Sequence, residues 1–381
     1  MDPNLKTPYI INWNFGVQHA FSNNLSLEVG YVGNHGDNLT GFIDINQLDP
    51  VTGLRPYGAK FPYVQFLNET VNDARSNYHS LQSTLTKRVS HGLSFTAGYT
   101  YGHGLDNGSL SRFGNLPQNS LRPGAEYASS DFDVRHRFTV TASYEIPGKN
   151  GYGQLLKGWK INSIVNLQGS QPWLVQDTAN DFSGQGVNGG GDLSDRWNFY
   201  GNPRDFKSGS SSIPWCDFSS GSPECTSVSG ISGLTTTYPS SLAQRCVKLA
   251  TDPDTLAQGG CFVSANGRSV MVPPKAGTYG TMGRNTVRDS GFRNVDFSIF
   301  KNFAFKEHYN AQFRLEFFNI FNHPIIANPY GASNGSALGI DPGASPQTFG
   351  CGCATPDVAA GNPLVGSGSS RVMQLGLKFT F

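Results

Sequence analysis

The sequence predicts an all-β chain: an antiparallel transmembrane β-barrel, of which about nine strands of a larger barrel are present. Three observations predict it. Apolar and polar residues alternate with period two over segments longer than the roughly 5–6 residues of ordinary soluble strands. The connections between these segments are alternately short and long, as in outer-membrane barrels. The chain also ends in mid-alternation on the aromatic Phe381, where most termini are polar and frayed.

The elements follow in order. Ile11, Trp13, Phe15, Val17 and Phe21 alternate with Asn12, Asn14, Gly16 and Gln18, so one face of this strand is apolar and the other polar. After a turn at Ser22-Asn23-Asn24 the pattern repeats in Leu25, Leu27, Val29 and Tyr31. A weaker strand spans His79 to Val89 and turns at Ser90-His91-Gly92 into Leu93, Phe95, Ala97, Tyr99 and Tyr101. Phe132 to Ile146 reads as one strand, and Trp159 to Leu167 as the next. Val295, Phe297 and Ile299 precede a turn near Lys306-Glu307 and a strand from Tyr309 to Phe321. The last strand carries Met373, Leu375, Leu377, Phe379 and Phe381.

Short turns follow Phe21, Val89, Ile146 and Asn302, whereas long stretches follow Tyr31, Tyr101, Leu167 and Phe321. A membrane-spanning strand needs about 9–11 tilted residues, and Trp13, Tyr31, Tyr101, Tyr144 and Trp159 fall near strand ends, where interfacial aromatics belong. Lys87 falls on an apolar face, close enough to a short turn to snorkel to the interface. Nine is an odd number, and single-chain bacterial barrels normally have an even one. The expectation is that further strands precede Met1, with a strand hidden in the longest loop as the competing explanation. The opening MDPNLKTPYI shows no signal peptide, which the same expectation explains.

Composition agrees. Charged residues are 14% of the chain, against about 25% in typical domains. There are 46 glycines, 26 phenylalanines and 15 tyrosines, which suits strands, turns and aromatic surface. A net charge of +1 points to no nucleic-acid partner. No apolar run is long enough for a transmembrane helix.

Six cysteines, Cys216, Cys225, Cys246, Cys261, Cys351 and Cys353, all fall outside the predicted strands. With no CxxC pair and no well-spaced histidine, disulfides in an oxidising compartment are favoured over zinc. Connectivity cannot be deduced from spacing; Cys216 with Cys225 and Cys246 with Cys261 are working expectations. Most lie in the Gly/Ser-rich stretch 169–291, read as a large extracellular loop that also holds Trp173, Trp197 and Trp215. Those indoles could stack on a sugar or peptide, or pack the loop itself. Asp177, Asp181, Asp192 and Asp195 lack the spacing of a calcium loop and read as solvated. Gly189-Gly190-Gly191 lacks the strand-to-helix setting of a phosphate cradle, and no G-x-S-x-G elbow occurs. No metal, cofactor or enzymatic activity is expected. On the polar strand faces, Asp296, Arg314 and Glu316 are candidate lumenal residues.

DPNLKTPY, YHSLQ, SDFDVRHRF, GNPRDF, FFNIFNHP and LGLKFTF occur in this order along the chain. As an ordered set they resemble the C-terminal barrel of TonB-dependent receptors, specifically the Oar-like group of acidobacterial type. The resemblance covers the whole chain. It implies the last strands of a barrel of roughly 22 with a plugged lumen, an upstream plug that meets TonB, and a carboxypeptidase-regulatory-like domain further upstream. Gln374, Gly376, Phe379 and Phe381 fit the polar-x-Gly-x-x-aromatic-x-aromatic pattern of a terminal β-signal read by the outer-membrane assembly machinery. The expected place is the cell outer membrane of a Gram-negative-type cell, in contact with lipid. The expected role is TonB-coupled uptake of a small ligand: siderophore, glycan or peptide. Alternatives are an Oar-like structural or adhesive outer-membrane protein without transport, and a secreted carbohydrate-binding β-sandwich.

Overall fold

A computed structural model describes all residues except 110–115, 150–153, 186–194, 231, 306–308, 330–338 and 354–369. Nine long strands form one continuous antiparallel path. They are β1 (Tyr9–Ser22), β2 (Leu25–Asp44), β3 (Asn68–Ser90), β4 (Leu93–Asp106), β5 (His136–Glu145), β6 (Trp159–Gln168), β7 (Phe292–Phe305), β8 (Tyr309–Phe318) and β9 (Val372–Thr380). Each pairs with its neighbour in sequence, and the short strand Ala128–Ser129 adds to β4. The predicted strands are therefore present, in the predicted order. β1 and β9 form the two edges of the described sheet.

The short connections are tight. Between β3 and β4, His91 and Gly92 both take positive φ, 52° and 79°, as the central residues of a two-residue hairpin of the type that matches strand twist must. The predicted turn at Lys306-Glu307 lies outside the described residues.

Cross-strand register keeps one apolar face throughout. Phe15 stands opposite Tyr31, Val140 opposite Val165, and Leu315 opposite both Ile299 and Leu375. This face is uncovered: Phe15 is 70% exposed and Leu375 71%. In water such a continuous apolar surface would demand a partner; lipid is the partner that a two-faced sheet with this polarity fits. Gly33 belongs to it, because a Cβ there would lie only 2.5 Å from the Trp13 ring that covers it. Lys87 sits on this face between Leu25 and Phe95, as expected near the short turn. A second cation, Lys301, is accommodated by contacts rather than by water. Its ammonium binds the carbonyls of Gln154 and Lys157 and lies 5.3 Å from the Trp159 ring and 4.7 Å from Phe303.

Several boundaries differ from expectation. β2 and β3 run to 20 and 23 residues, well past Tyr31 and ahead of His79. Their outer halves mix Asn, Asp and Gly with scattered Leu39, Phe42, Ile43 and Val71, and register shifts fall between Gly36 and Gly41, so no regular period-two signal marks them. The strand predicted from Phe132 begins only at His136. The Asp133 side chain binds the Gly104 amide at 3.0 Å and draws this segment out of the ladder.

The long connection 169–291 is a folded unit. It holds a six-stranded sheet in the order Thr235–Tyr238, Glu224–Val228, Trp215–Asp217, Cys261–Val263, Val270–Val272 and Asn198–Tyr200. Two helices accompany it, α1 (Ser241–Leu249) and α2 (Pro253–Gly259). Its apolar residues face inward, around Trp197, Phe206, Phe262 and Met271, joined by Ile340 and Phe349 from the connection after β8. Within one chain, then, the nine strands turn apolar side chains outward and this cap buries them. Disulfides link Cys216–Cys225, Cys246–Cys261 and Cys351–Cys353, including both working pairings.

Candidate functional site: the polar face and its capped mouth

The polar strand face carries a chain of side-chain bonds. Arg314 Nε donates to Gln312 Oε1 at 2.5 Å, and Gln312 Nε2 donates to Asn302 Oδ1 at 2.9 Å. The Arg314 guanidinium also lies 5.3 Å from the Phe300 ring. Glu316 stands opposite Gln374 and Ser298 on the same face. Asp296 instead fastens a turn: its Oδ1 accepts from the Asn319 amide and from Asn294 Nδ2, both at 2.9 Å. Asn319, in the FFNIFNHP motif, then closes that turn onto His323.

Of the terminal four, Gln374 and Gly376 share the polar face, opposite Glu316 and Arg314. Phe379 and Phe381 are on the apolar side and almost fully open, at 66% and 94% exposure. Gly376 presents no side chain against the Arg314 stem, 3.6 Å from where its Cβ would be.

At the long-loop end the polar face opens into a cavity of about 530 Å³ lined by residues that include Asn34, Tyr78, Gln82, Asp133, Arg137 and Gln168. Sequence reasoning did not select these residues as a site. The signal was present in parity: Tyr78, Ser80 and Gln82 of YHSLQ share the polar face, while His79 and Leu81 share the apolar one.

Ion pairs tie the cap to this mouth. Arg284, fully buried, pairs with Asp106 at 2.5 Å and with Asp131 at 3.4 Å. Arg196 pairs with Glu126, and Arg288 with Asp133. Arg135 also reaches Asp133, at 2.8 Å. Burial acts to raise the Asp133 carboxyl, but the Arg135 and Arg288 guanidiniums and the Gly104 amide outweigh it and hold the group at about 2. Uncharged contacts continue the seam: Tyr279 Oη lies 2.7 Å from Gln47 Nε2, and Gln185 exchanges two bonds with the Leu48 main chain.

The tryptophans are packed, not displayed. Trp173 and Trp197 are buried; Trp197 donates to Asp177 Oδ2 at 2.8 Å, and Trp215 Nε1 donates to the Gly259 carbonyl at 3.2 Å. Trp173 meets Phe349 and Trp197 meets Phe262 edge-on. The indoles are thus consumed by the cap core, and neither Trp173 nor Trp197 offers a stacking face to a ligand. The aspartates also depart from the solvated reading. Asp177 and Asp195 are buried and face each other in a β-bridge. Burial pushes the Asp195 carboxyl up to about 6, against the opposing bonds from Ser183, and raises Asp177 as well. Asp192 and the triglycine lie outside the described residues. The sulfurs of Cys216, Cys246 and Cys261 cluster within 4.8 Å, but each is in a disulfide and offers no thiolate.

An antiparallel sheet with an apolar outer face, a polar inner face and long loops at one end defines an outer-membrane β-barrel. The chain belongs to the outer membrane beta barrel domain family, whose profile matches residues 1–351. Its place is the outer membrane. No curated protein sequence matches it. Among solved structures it is similar to the outer membrane transporter YddB from Escherichia coli, at 10% identity and a TM-score of 0.41, over 99% of this chain and 33% of that one. It is also similar to the ferripyoverdine receptor of Pseudomonas aeruginosa bound to ferripyoverdine, at 10% identity and a TM-score of 0.35, over 84% of this chain and 24% of that one. The chain thus spans a third or less of the length of these two proteins.

Proposed function

We propose that this chain supplies wall strands and outer mouth to a larger barrel of the TonB-dependent, Oar-like kind, a non-catalytic receptor for uptake of a polar nutrient. The carrying observation is the cavity at the mouth, where Tyr78, Gln82 and Arg137 meet under a cap fastened by buried ion pairs. Hydrogen-bonding groups fixed by a rigid frame select a solute, whereas a passive pore needs no such frame. The ordered motifs favour coupling to TonB through an upstream plug, and the nine-strand sheet with two open edges favours further wall strands. Siderophore, glycan and peptide all suit the polar lining.

The test is uptake by cells carrying the full-length gene, supplied with labelled siderophore, oligosaccharide and peptide pools, with TonB present and absent. Energy-dependent uptake of one pool, reduced by Tyr78→Ala with Arg137→Ala, is the expected result. Surface adhesion that persists with no uptake of any pool would replace this reading with the structural one.

A further inference from the structure

A register row crosses the polar face at the mouth. Gln82 stands opposite Thr100, Thr100 opposite Arg137, and Arg137 opposite Gln168. One residue from each of β3, β4, β5 and β6 thus falls in line, and all four line the cavity of about 530 Å³. With neighbouring strands about 4.8 Å apart, the row is roughly 14 Å long. Two same-face positions further out on β3, Tyr78 lies along β4 over Gly102 and Gly104. A Cβ on Gly102 would be 2.8 Å from Tyr78 Oη and 3.3 Å from its ring, so the absent side chain is what lets the tyrosine lie down there.

The charges of this mouth are unequally committed. Its lining holds two carboxylates, Asp106 and Asp133. Asp106 is paired with Arg284 at 2.5 Å and also accepts from the Ser109 amide at 3.1 Å. Asp133 accepts from Arg135 at 2.8 Å, from the Gly104 amide at 3.0 Å and from Arg288. The one cation of the lining, Arg137, is exposed, and its guanidinium makes no ion pair or hydrogen bond among the described residues. Tyr78 Oη likewise has no hydrogen bond among them. An entering solute therefore meets spent carboxylates, a free guanidinium, a free phenol and two carboxamides.

Taking the mouth as a receptor site, we propose that this row binds a sugar acid, a uronate unit of an acidic oligosaccharide. Arg137 pairs with the carboxylate, whose planar geometry the guanidinium fork matches. Gln82 and Gln168 flank it along the row, and each carboxamide both donates and accepts, as neighbouring hydroxyls on a sugar ring require. Tyr78 adds an aromatic surface and a hydroxyl at the outer end. A peptide would be met best by an unpaired strand edge. Here β3, β4, β5 and β6 are each paired on both sides, so recognition falls to side chains, which suits a solute rich in hydroxyls.

The test measures binding of oligogalacturonate and of its methyl ester to the full-length protein in detergent micelles, by isothermal titration calorimetry. The ester keeps the rings and hydroxyls and removes the charge. The acid is expected to bind about tenfold more tightly than the ester, and Arg137→Gln to bring the two to equal affinity. Gly102→Val, which lifts Tyr78 without removing it, is expected to weaken both. Equal affinity for acid and ester in the wild type, or binding of neither, overturns the proposal without recourse to any variant. An acid preference that survives in Arg137→Gln also overturns it. Uptake separates its failure from that of the receptor reading. TonB-dependent uptake of a neutral or peptide pool, with the acidic oligomer refused, sinks the sugar-acid assignment alone. Binding of the acid with no uptake of any pool sinks the receptor reading alone.

Discussion

Arg284 has none of its side chain exposed and sets its guanidinium 2.5 Å from the carboxylate of Asp106, the last residue of β4. Its Nε donates to the Glu126 carbonyl at 2.9 Å. One side chain from the cap thus fastens a wall strand and the connection after it. Removing one partner of a buried pair leaves an uncompensated charge, at a cost of about 3–5 kcal/mol. Arg284→Ala is expected to loosen the cap by that order while the barrel strands persist. Limited proteolysis of the assembled protein should show faster cleavage within 169–291. Arg284→Met with Asp106→Leu should recover part of the loss, since it removes the Asp106 charge and leaves Asp131 without Arg284 but with its bond from Asn285 Nδ2.

Acid should strengthen part of the cap. The folded Asp195 carboxyl, at about 6, lies above its unfolded value of about 3.9. The folded state therefore holds the extra proton between those values. Its stability is greatest below about pH 4 and falls by roughly 2–3 kcal/mol as pH rises through 6. Asp133, held at about 2, works in the opposite sense in a lower window, losing its contribution as pH falls from about 4 to 2. Cap melting followed by near-ultraviolet dichroism between pH 4 and 7 should slope downward in the native chain and flatten in Asp195→Asn. An unchanged slope in that variant would remove Asp195 as the cause.

The two faces of β5 provide an internal control. Val140 and Thr141 are neighbours with opposite orientations. Val140→Arg puts a charge into lipid and should destabilise by roughly 2–4 kcal/mol, whereas Thr141→Arg faces the polar side and should cost far less. Equilibrium folding into vesicles, read by the shift between folded and unfolded mobility on gels, separates them.

Cys216 and Cys225 enclose a loop with a sequence separation of 9. In the chain-entropy picture, losing that link should destabilise the cap by roughly 2–3 kcal/mol. The double Cys→Ala variant should keep its outer-membrane location and lose protease resistance in the cap alone.

Deleting Phe381 should impair insertion while leaving synthesis intact. Pulse-labelled protein is expected to accumulate in the periplasm; normal insertion kinetics would count against a terminal assembly signal at Gln374, Gly376, Phe379 and Phe381.

The sequence by itself determined the wall. Phe15, Val17, Val140 and Leu375 were legible as one face because lipid requires an uninterrupted apolar surface on every strand, and a period of two records that demand locally. Turn placement followed from the same pattern at Asn23-Asn24 and His91-Gly92. The outer halves of β2 and β3 were not legible, because scattered apolar residues and the register shifts between Gly36 and Gly41 break the alternation there. The tertiary structure alone decided the cap. Trp197 against Asp177 and Arg284 against Asp106 are pairings that no local pattern announces. The cap's own sequence looks like any Gly- and Ser-rich loop, because burial there depends on the converging chain rather than on a solvent boundary that each strand meets separately.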